Sequence, residues 1–181
     1  DPGREAWKQM ASDILEDVPR FLDETFLEWK GVKAEEELYE SIQNDDMSFK
    51  GFIDAVIICK NKKGQNRIWL LDWKTAGWGW RKEKKQDFNY QMQLLLYKHF
   101  WSEKHNINPK DVKIGFVLLK RDGKNGNRCE LVEVSGSEKK VEEAVKTVRS
   151  MLNTVRKGFF PKNFSACKWC EFRGTEHCSG S

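Results

Sequence analysis

Arg67-Ile68-Trp69-Leu70-Leu71-Asp72-Trp73-Lys74-Thr75 decides how this chain is read. The apolar run that opens it follows Asn61-Lys62-Lys63-Gly64-Gln65-Asn66, a polar stretch with a glycine. That order predicts a buried strand entered from a hairpin loop. Alternation along a strand puts Asp72 and Lys74 on one face and Leu71 and Trp73 on the other. An Asp and a Lys buried together are costly unless they are paired or bind something.

The hairpin also places the preceding strand, Phe49 to Lys60, beside this one, with Ile53, Val56, Ile57 and Ile58 as its apolar content. Asp54 follows Gly51-Phe52-Ile53 and can therefore approach Asp72. Two carboxylates at one spot repel each other unless a cation lies between them. Mg²⁺ suits that place, because it takes a few carboxylates and fills its shell with water and phosphate oxygens. A lysine alongside can orient or deprotonate an attacking water. Together these groups are the equipment for metal-assisted phosphodiester hydrolysis. Asp-x-Lys alone would equally describe a salt-bridged strand end.

Downstream, residues 88–104 read as a helix rich in Leu94, Leu95, Leu96 and Phe100. Gln93 and Tyr97 are four apart and share one face, with Tyr90 and Gln91 nearby. An amphipathic helix accounts for them; so does reach toward a phosphate at the Asp72 site. Upstream, residues 4–30 predict a long helix, with Trp7, Met10, Ile14, Leu15, Val18, Leu22 and Phe26 at helical spacing. Pro19 marks a kink or break in it, and Gly31 its stop. Residues 32–42 suit a strand, and Asn44-Asp45-Asp46 a turn. Strands over 112–120 and 129–134 flank a turn from Gly123 to Asn127, and residues 138–157 predict a last helix. The order implies an α/β fold, a mixed β-sheet flanked by helices, in a single domain over 1–181 with a looser tail from 159.

Composition narrows the function. The chain has 181 residues with 39% hydrophobic and 33% charged side chains, and no apolar run long enough to span a membrane. Eight Trp and eleven Phe argue against disorder. Net charge is only +4, but residues 1–54 carry −9 (15 acidic, 6 basic) and residues 55–85 carry +7 (9 basic, 2 acidic). A basic middle suggests a polyanion partner. Within it, Trp78-Gly79-Trp80-Arg81-Lys82-Glu83-Lys84-Lys85 follows the Asp72 strand directly. There Trp78 and Trp80 could stack on bases, while Arg81, Lys82, Lys84 and Lys85 meet phosphates. The same residues could instead pack on the sheet edge and be solvated. Trp7, Trp29, Trp69 and Trp101 read as core or helix-face residues.

Gly51-x-x-Asp54, Asp72-x-Lys74 and Gln93-x-x-x-Tyr97, in that order and on strand, strand and helix, resemble the RecB-like nuclease family of the PD-(D/E)XK superfamily. That family includes the nuclease domains of RecB and AddB, CRISPR-associated RecB-like exonucleases and phage nucleases. The resemblance implies the restriction-endonuclease-like α/β fold. It implies that Asp54 and Asp72, with the Trp73 carbonyl, ligate Mg²⁺ or Mn²⁺, and that Lys74 positions the attacking water. Gln93 and Tyr97 would support the site and touch the DNA backbone. The family often carries a further His or Glu upstream. No His precedes His99, so Glu36, Glu37 and Glu40 are the available acids.

Five cysteines, an odd number with three in the last fifteen residues, do not form a secreted disulfide scaffold and point to a reducing compartment. Cys167-x-x-Cys170 has the spacing of a metal knuckle, with Cys178 beyond it. Cys59 and Cys129 lie in predicted strands and read as small buried residues. In iron–sulfur members of the same family, a C-terminal cysteine trio joins one far upstream to hold a 4Fe–4S cluster. By that resemblance Cys167, Cys170 and Cys178 are the trio. The chain opens Asp1-Pro2-Gly3 without Met, so the fourth cysteine and the upstream acidic motif are expected in a preceding segment. A zinc site completed by His177, and a tail that holds no metal, are the alternatives.

The resulting expectation is a metal-dependent DNA nuclease, an exonuclease on single strands or duplex ends. It would work in DNA repair, recombination or phage DNA processing, in a bacterial or phage-infected cytoplasm, with a helicase or recombination partner. The alternatives are a non-cutting DNA-binding or assembly module of a helicase–nuclease complex, and a site-specific endonuclease for which no target-reading segment is evident.

Overall fold

The computed structural model describes residues 2–42, 46–123 and 127–178. The chain divides into two compact units, residues 1–144 and 145–181. In chain order the elements are α1 (Pro2–Thr25), β1 (Leu27–Ser41), β2 (Ser48–Lys60), β3 (Asn66–Ala76), α2 (Lys82–Gln86), α3 (Phe88–Lys104), β4 (Val112–Lys120), β5 (Cys129–Val134) and α4 (Glu138–Arg156). The expected turn residues Asn44 and Asp45 lie outside the described residues, as do 124–126 between Gly123 and Asn127. Among the described residues no helix is long and apolar enough to cross a membrane.

In the first unit the five strands form one sheet in the order β1-β2-β3-β4-β5. The β1–β2, β2–β3 and β4–β5 pairs are antiparallel, and β3–β4 is parallel. A parallel pair needs a crossover, and α3 supplies it. The mixed α/β sheet expected from the sequence is therefore present. The β2–β3 hairpin closes as its residues predict. Asn61 Oδ1 accepts from Lys63 N (2.9 Å) and Gln65 N (3.0 Å), and Gly64 adopts a φ of 74° that favours glycine.

The first helix corrects the sequence reading. It ends at Thr25, not Lys30, and Pro19 lies within it without a break. Phe26 N makes a last bond to Leu22 O (2.9 Å), and the Phe26 ring turns into the core edge-on to Trp69, centroids 5.4 Å apart. Residues 27–30 instead pair with β2, Leu27 against Lys60 and Lys30 against Ile58. Gly31 sits inside β1, between two register shifts. Such shifts increase local twist, and Glu28 with φ of 47° marks the first.

The face of β2 and β3 toward α1 buries Ile57, Cys59, Trp69 and Leu71 against Leu22 and Phe26. On α3, Leu94, Leu95, Leu96, Phe100 and Trp101 are buried, and the Asp87 carboxylate caps its start by accepting from Asn89 N (2.8 Å). Among the described residues no carboxylate pairs with the buried Lys98. Its Nζ donates to Val112 O and Gly136 O, both 2.9 Å away, and burial lowers its pKa, helped by the Lys113 charge. These bonds fix α3 to β4 and to the turn after β5.

In the second unit, after the end of α4, a short 3₁₀ turn spans Phe164–Trp169. Phe159, Phe160, Phe164, Trp169 and Phe172 are exposed.

Candidate active site

Asp54 and Asp72 meet because the β2–β3 ladder stops at Ala55–Leu71, one residue short of both. Where the next pair would form, the Asp54 carboxylate leaves the ladder and accepts from Trp73 N at 2.7 Å. A side chain thus satisfies a backbone donor that the strand pairing abandons. On its other side Asp72 is held by the parallel ladder, opposite Phe116 of β4.

Asp72 is 2% exposed. Lys74 Nζ lies 2.7 Å from its Oδ2, an ion pair on the shared face that alternation predicts. Oδ2 is fully buried, and the Lys74 ammonium is the partner it faces among the described residues. Burial raises the Asp72 carboxyl above the usual carboxylate range. Contact with Lys74 and its charge pull it back, and the Asp54 charge raises it again. Net, the pocket is short of positive charge. The Phe116 ring centroid lies 6.0 Å from Lys74 Nζ, on the outer limit of cation–π attraction.

Those features fit a divalent cation. Among the described residues no group of three or more His, Cys, Asp or Glu is arranged to hold a metal. The side-chain donors available here are two carboxylates, which suits an ion that keeps water and phosphate oxygens, as Mg²⁺ does. A second positive charge beside Asp54 and Asp72 would offset the carboxylate charge that the single Lys74 ammonium leaves uncompensated.

Gln93 and Tyr97 come together as expected: Gln93 Nε2 donates to Tyr97 OH at 3.0 Å. Gly51 explains how α3 approaches β2. A Cβ there would lie 2.6 Å from Cε1 of Tyr97, so only glycine leaves room for the ring.

The candidate upstream acids lie on β1, where Glu36, Glu37 and Glu40 pair with Ile53, Phe52 and Phe49, the residues of β2 that lead up to Asp54. Glu36 is buried, with Oε2 accepting from Trp101 Nε1 (2.9 Å) and Oε1 at 2.6 Å from His105 Nε2. Lys104 Nζ lies 3.7 Å from Glu40 and donates to Glu37 O at 2.7 Å. Glu36, Glu37 and Glu40 all line an open cleft of about 790 Å³ over Val56, Ile58 and Ile68.

The basic stretch after β3 divides. Trp78, Arg81 and Lys82 are exposed. Trp80 packs on Phe116 and Tyr90, and Lys84 Nζ stands 4.3 Å from the Trp80 ring centroid. Lys85 Nζ pairs with Glu130 Oε1 at 2.6 Å. Phe116 and Glu130 are the residues that sequence reasoning missed. Their role depends on which strand pairs with β3, and no local signal carries that.

The tail cysteines are not gathered into a metal-holding group among the described residues. Cys167 lies in the 3₁₀ turn, Cys170 N donates back to Cys167 O (3.3 Å), and Cys178 follows a separate turn through Thr175 O. None of the five cysteines forms a disulfide.

With this geometry in place, the class is defined. The chain belongs to the PD-(D/E)XK nuclease superfamily, which matches it over residues 2–175. The superfamily comprises metal-dependent nucleases, which typically use Mg²⁺ and act on nucleic acid. Among solved structures the chain is similar to the crystal structure of SSO0001 at 19% identity and a TM-score of 0.45. That match covers 86% of this chain and 62% of the other, less than two thirds of its length. No curated protein matched the chain.

Proposed function

We propose that the chain is a Mg²⁺- or Mn²⁺-dependent deoxyribonuclease of the RecB-like branch, acting as an exonuclease on single strands or duplex ends. The observation that carries this reading is the end of β3. There the buried Asp72 carboxylate pairs with Lys74 at 2.7 Å, and Asp54 is turned out of the ladder beside it, so two carboxylates share one ammonium. Asp54, Asp72 and the Trp73 carbonyl hold the metal, which when bound neutralises charge on the phosphate under attack. Lys74 positions and activates the attacking water. The Gln93–Tyr97 pair faces the phosphate backbone. Arg81 and Lys82 add exposed positive charge, and Lys84 and Lys85 stand behind them, partly neutralised by their own contacts. Binding through phosphates implies little sequence preference. The RecB-like reading also implies a helicase or recombination partner in a reducing bacterial or phage-infected cytoplasm. A metal at Cys167, Cys170 and Cys178 finds no support in how these residues are arranged.

The test compares end-labelled linear DNA with covalently closed circles of the same sequence, in Mg²⁺ and in Mn²⁺. An exonuclease degrades the linear DNA and spares the circle. Cleavage of both would replace the exonuclease reading with an endonuclease. Binding without cleavage of either would favour the non-cutting module.

A further inference from the structure

The loop between β3 and α2 is anchored on both sides of a single residue. Arg121 N donates to Ala76 O (2.9 Å), and Asp122 N donates to Gly77 O (3.0 Å). A Cβ at Gly79 would lie 2.8 Å from Glu130 Oε2, so the backbone there lies close against that carboxylate. Glu130 also holds Lys85. Trp80 is then wedged between Phe116 and Tyr90, with ring centroids 5.1 and 5.8 Å from its own. Between these anchors Trp78 is 70% exposed.

An indole displayed from a pinned backbone is a stacking surface that any base fits, and less ordering is lost when a base lands on it. Trp78 stands four residues beyond Lys74, a reach of at most about 14 Å. A base inside a duplex or a stacked strand has neighbours on both faces. A base at a strand end has one face uncovered.

We propose that Trp78 is the platform on which an unpaired base at the end of a nucleic-acid strand stacks, and that it sets the preference for ends. Trp80, the other ring of the stretch, holds the loop instead. This inference rests on the nuclease reading and names the part of the substrate that its site engages first.

The full chain is mixed, in EDTA and in Ca²⁺, with short oligonucleotides carrying 2-aminopurine as the terminal or a central base, single-stranded or as blunt duplexes. Fluorescence quenching reports stacking, and anisotropy of a separate label reports binding. The terminal probe should quench more than the central one. Trp78→Ala should lose that quenching and weaken end binding roughly tenfold, while Trp78→Phe recovers most of it. Trp80→Phe should leave the quenching unchanged. Quenching of single strands alone assigns the platform to single-stranded ends, and quenching of duplexes too assigns it to frayed termini. Binding with quenching unchanged in Trp78→Ala, or equal at both probe positions, overturns the inference and leaves the nuclease reading standing. No binding of any oligonucleotide overturns both.

Discussion

A methyl group added at Gly51 would stand 2.6 Å from Cε1 of Tyr97 and 3.3 Å from the Phe49 ring. Ordinary contact begins at 3.4 Å, so the Tyr97 ring edge would have to retreat by about 0.8 Å. Little around it can give. Tyr97 is 5% exposed, and its hydroxyl accepts from Gln93 at 3.0 Å. Phe49 is stacked on Phe100 with centroids 4.5 Å apart and planes 9° apart, which closes the other side. Overpacking of this kind costs about 1–3 kcal/mol. For a chain of this size that is a fall in Tm of roughly 2–12 °C. Gly51→Ala is measured by thermal unfolding in the wild-type background and again with Tyr97→Leu, which removes the ring. The loss should be smaller in the second background, with a coupling of about 0.5–3 kcal/mol. A neutral Gly51→Ala, or an equal loss in both backgrounds, would refute the close approach of α3 to β2 at this point.

Asp72 offers a pH test. Its carboxyl is raised by burial, so the folded chain binds that proton more readily than the unfolded one. The stability linked to it is present below the unfolded pKa and is lost as pH rises through the folded pKa. Asp72→Asn should therefore stabilise the fold at neutral pH, with the advantage fading in acid; urea unfolding at both pH values checks this, and a gain that grows in acid would contradict it. Glu36→Ala strips the acceptor from Trp101 Nε1 and the partner from His105, at a cost of about 1–3 kcal/mol in urea unfolding. The thiols give a third test. Burial raises Cys59 and Cys129, so both should react with an aromatic disulfide reagent only on unfolding, whereas the exposed Cys170 reacts at once in the native chain. Protection of Cys170 that chelation removes would show a metal at the tail.

The strand that carries Asp72 and Lys74 was legible because burial and charge collide within it. Leu70, Leu71 and Asp72 are adjacent, and no ordinary strand buries a carboxylate beside an apolar run without a reason. Gln93 and Tyr97 were legible as well, since a four-residue step fixes neighbours on a helix whatever surrounds it. The end of α1 was not. Phe26 and Trp29 continue a helical spacing, but Phe26 is drawn onto Trp69 and residues 27–30 onto the edge of β2, both set by tertiary pairing. The same cause hid the separate fates of Trp78 and Trp80. Only the parallel placement of β4 puts Phe116 under one ring and leaves the other in solvent. Glu36, Glu37 and Glu40 could not be told apart by composition; in the fold Glu36 alone of them is buried, bonded to Trp101 and beside His105.

Phosphodiester chemistry at Asp72 and Lys74 requires both side chains and a divalent cation. The most direct measurement is cleavage of end-labelled DNA by the wild-type chain, Asp72→Ala and Lys74→Ala, each with Mg²⁺, with Mn²⁺ and with EDTA, after circular dichroism has shown all three folded. The wild type should cleave in a metal-dependent way, and both variants should lose cleavage while DNA binding persists. Cleavage that survives in either folded variant, or that proceeds unchanged in EDTA, would contradict it.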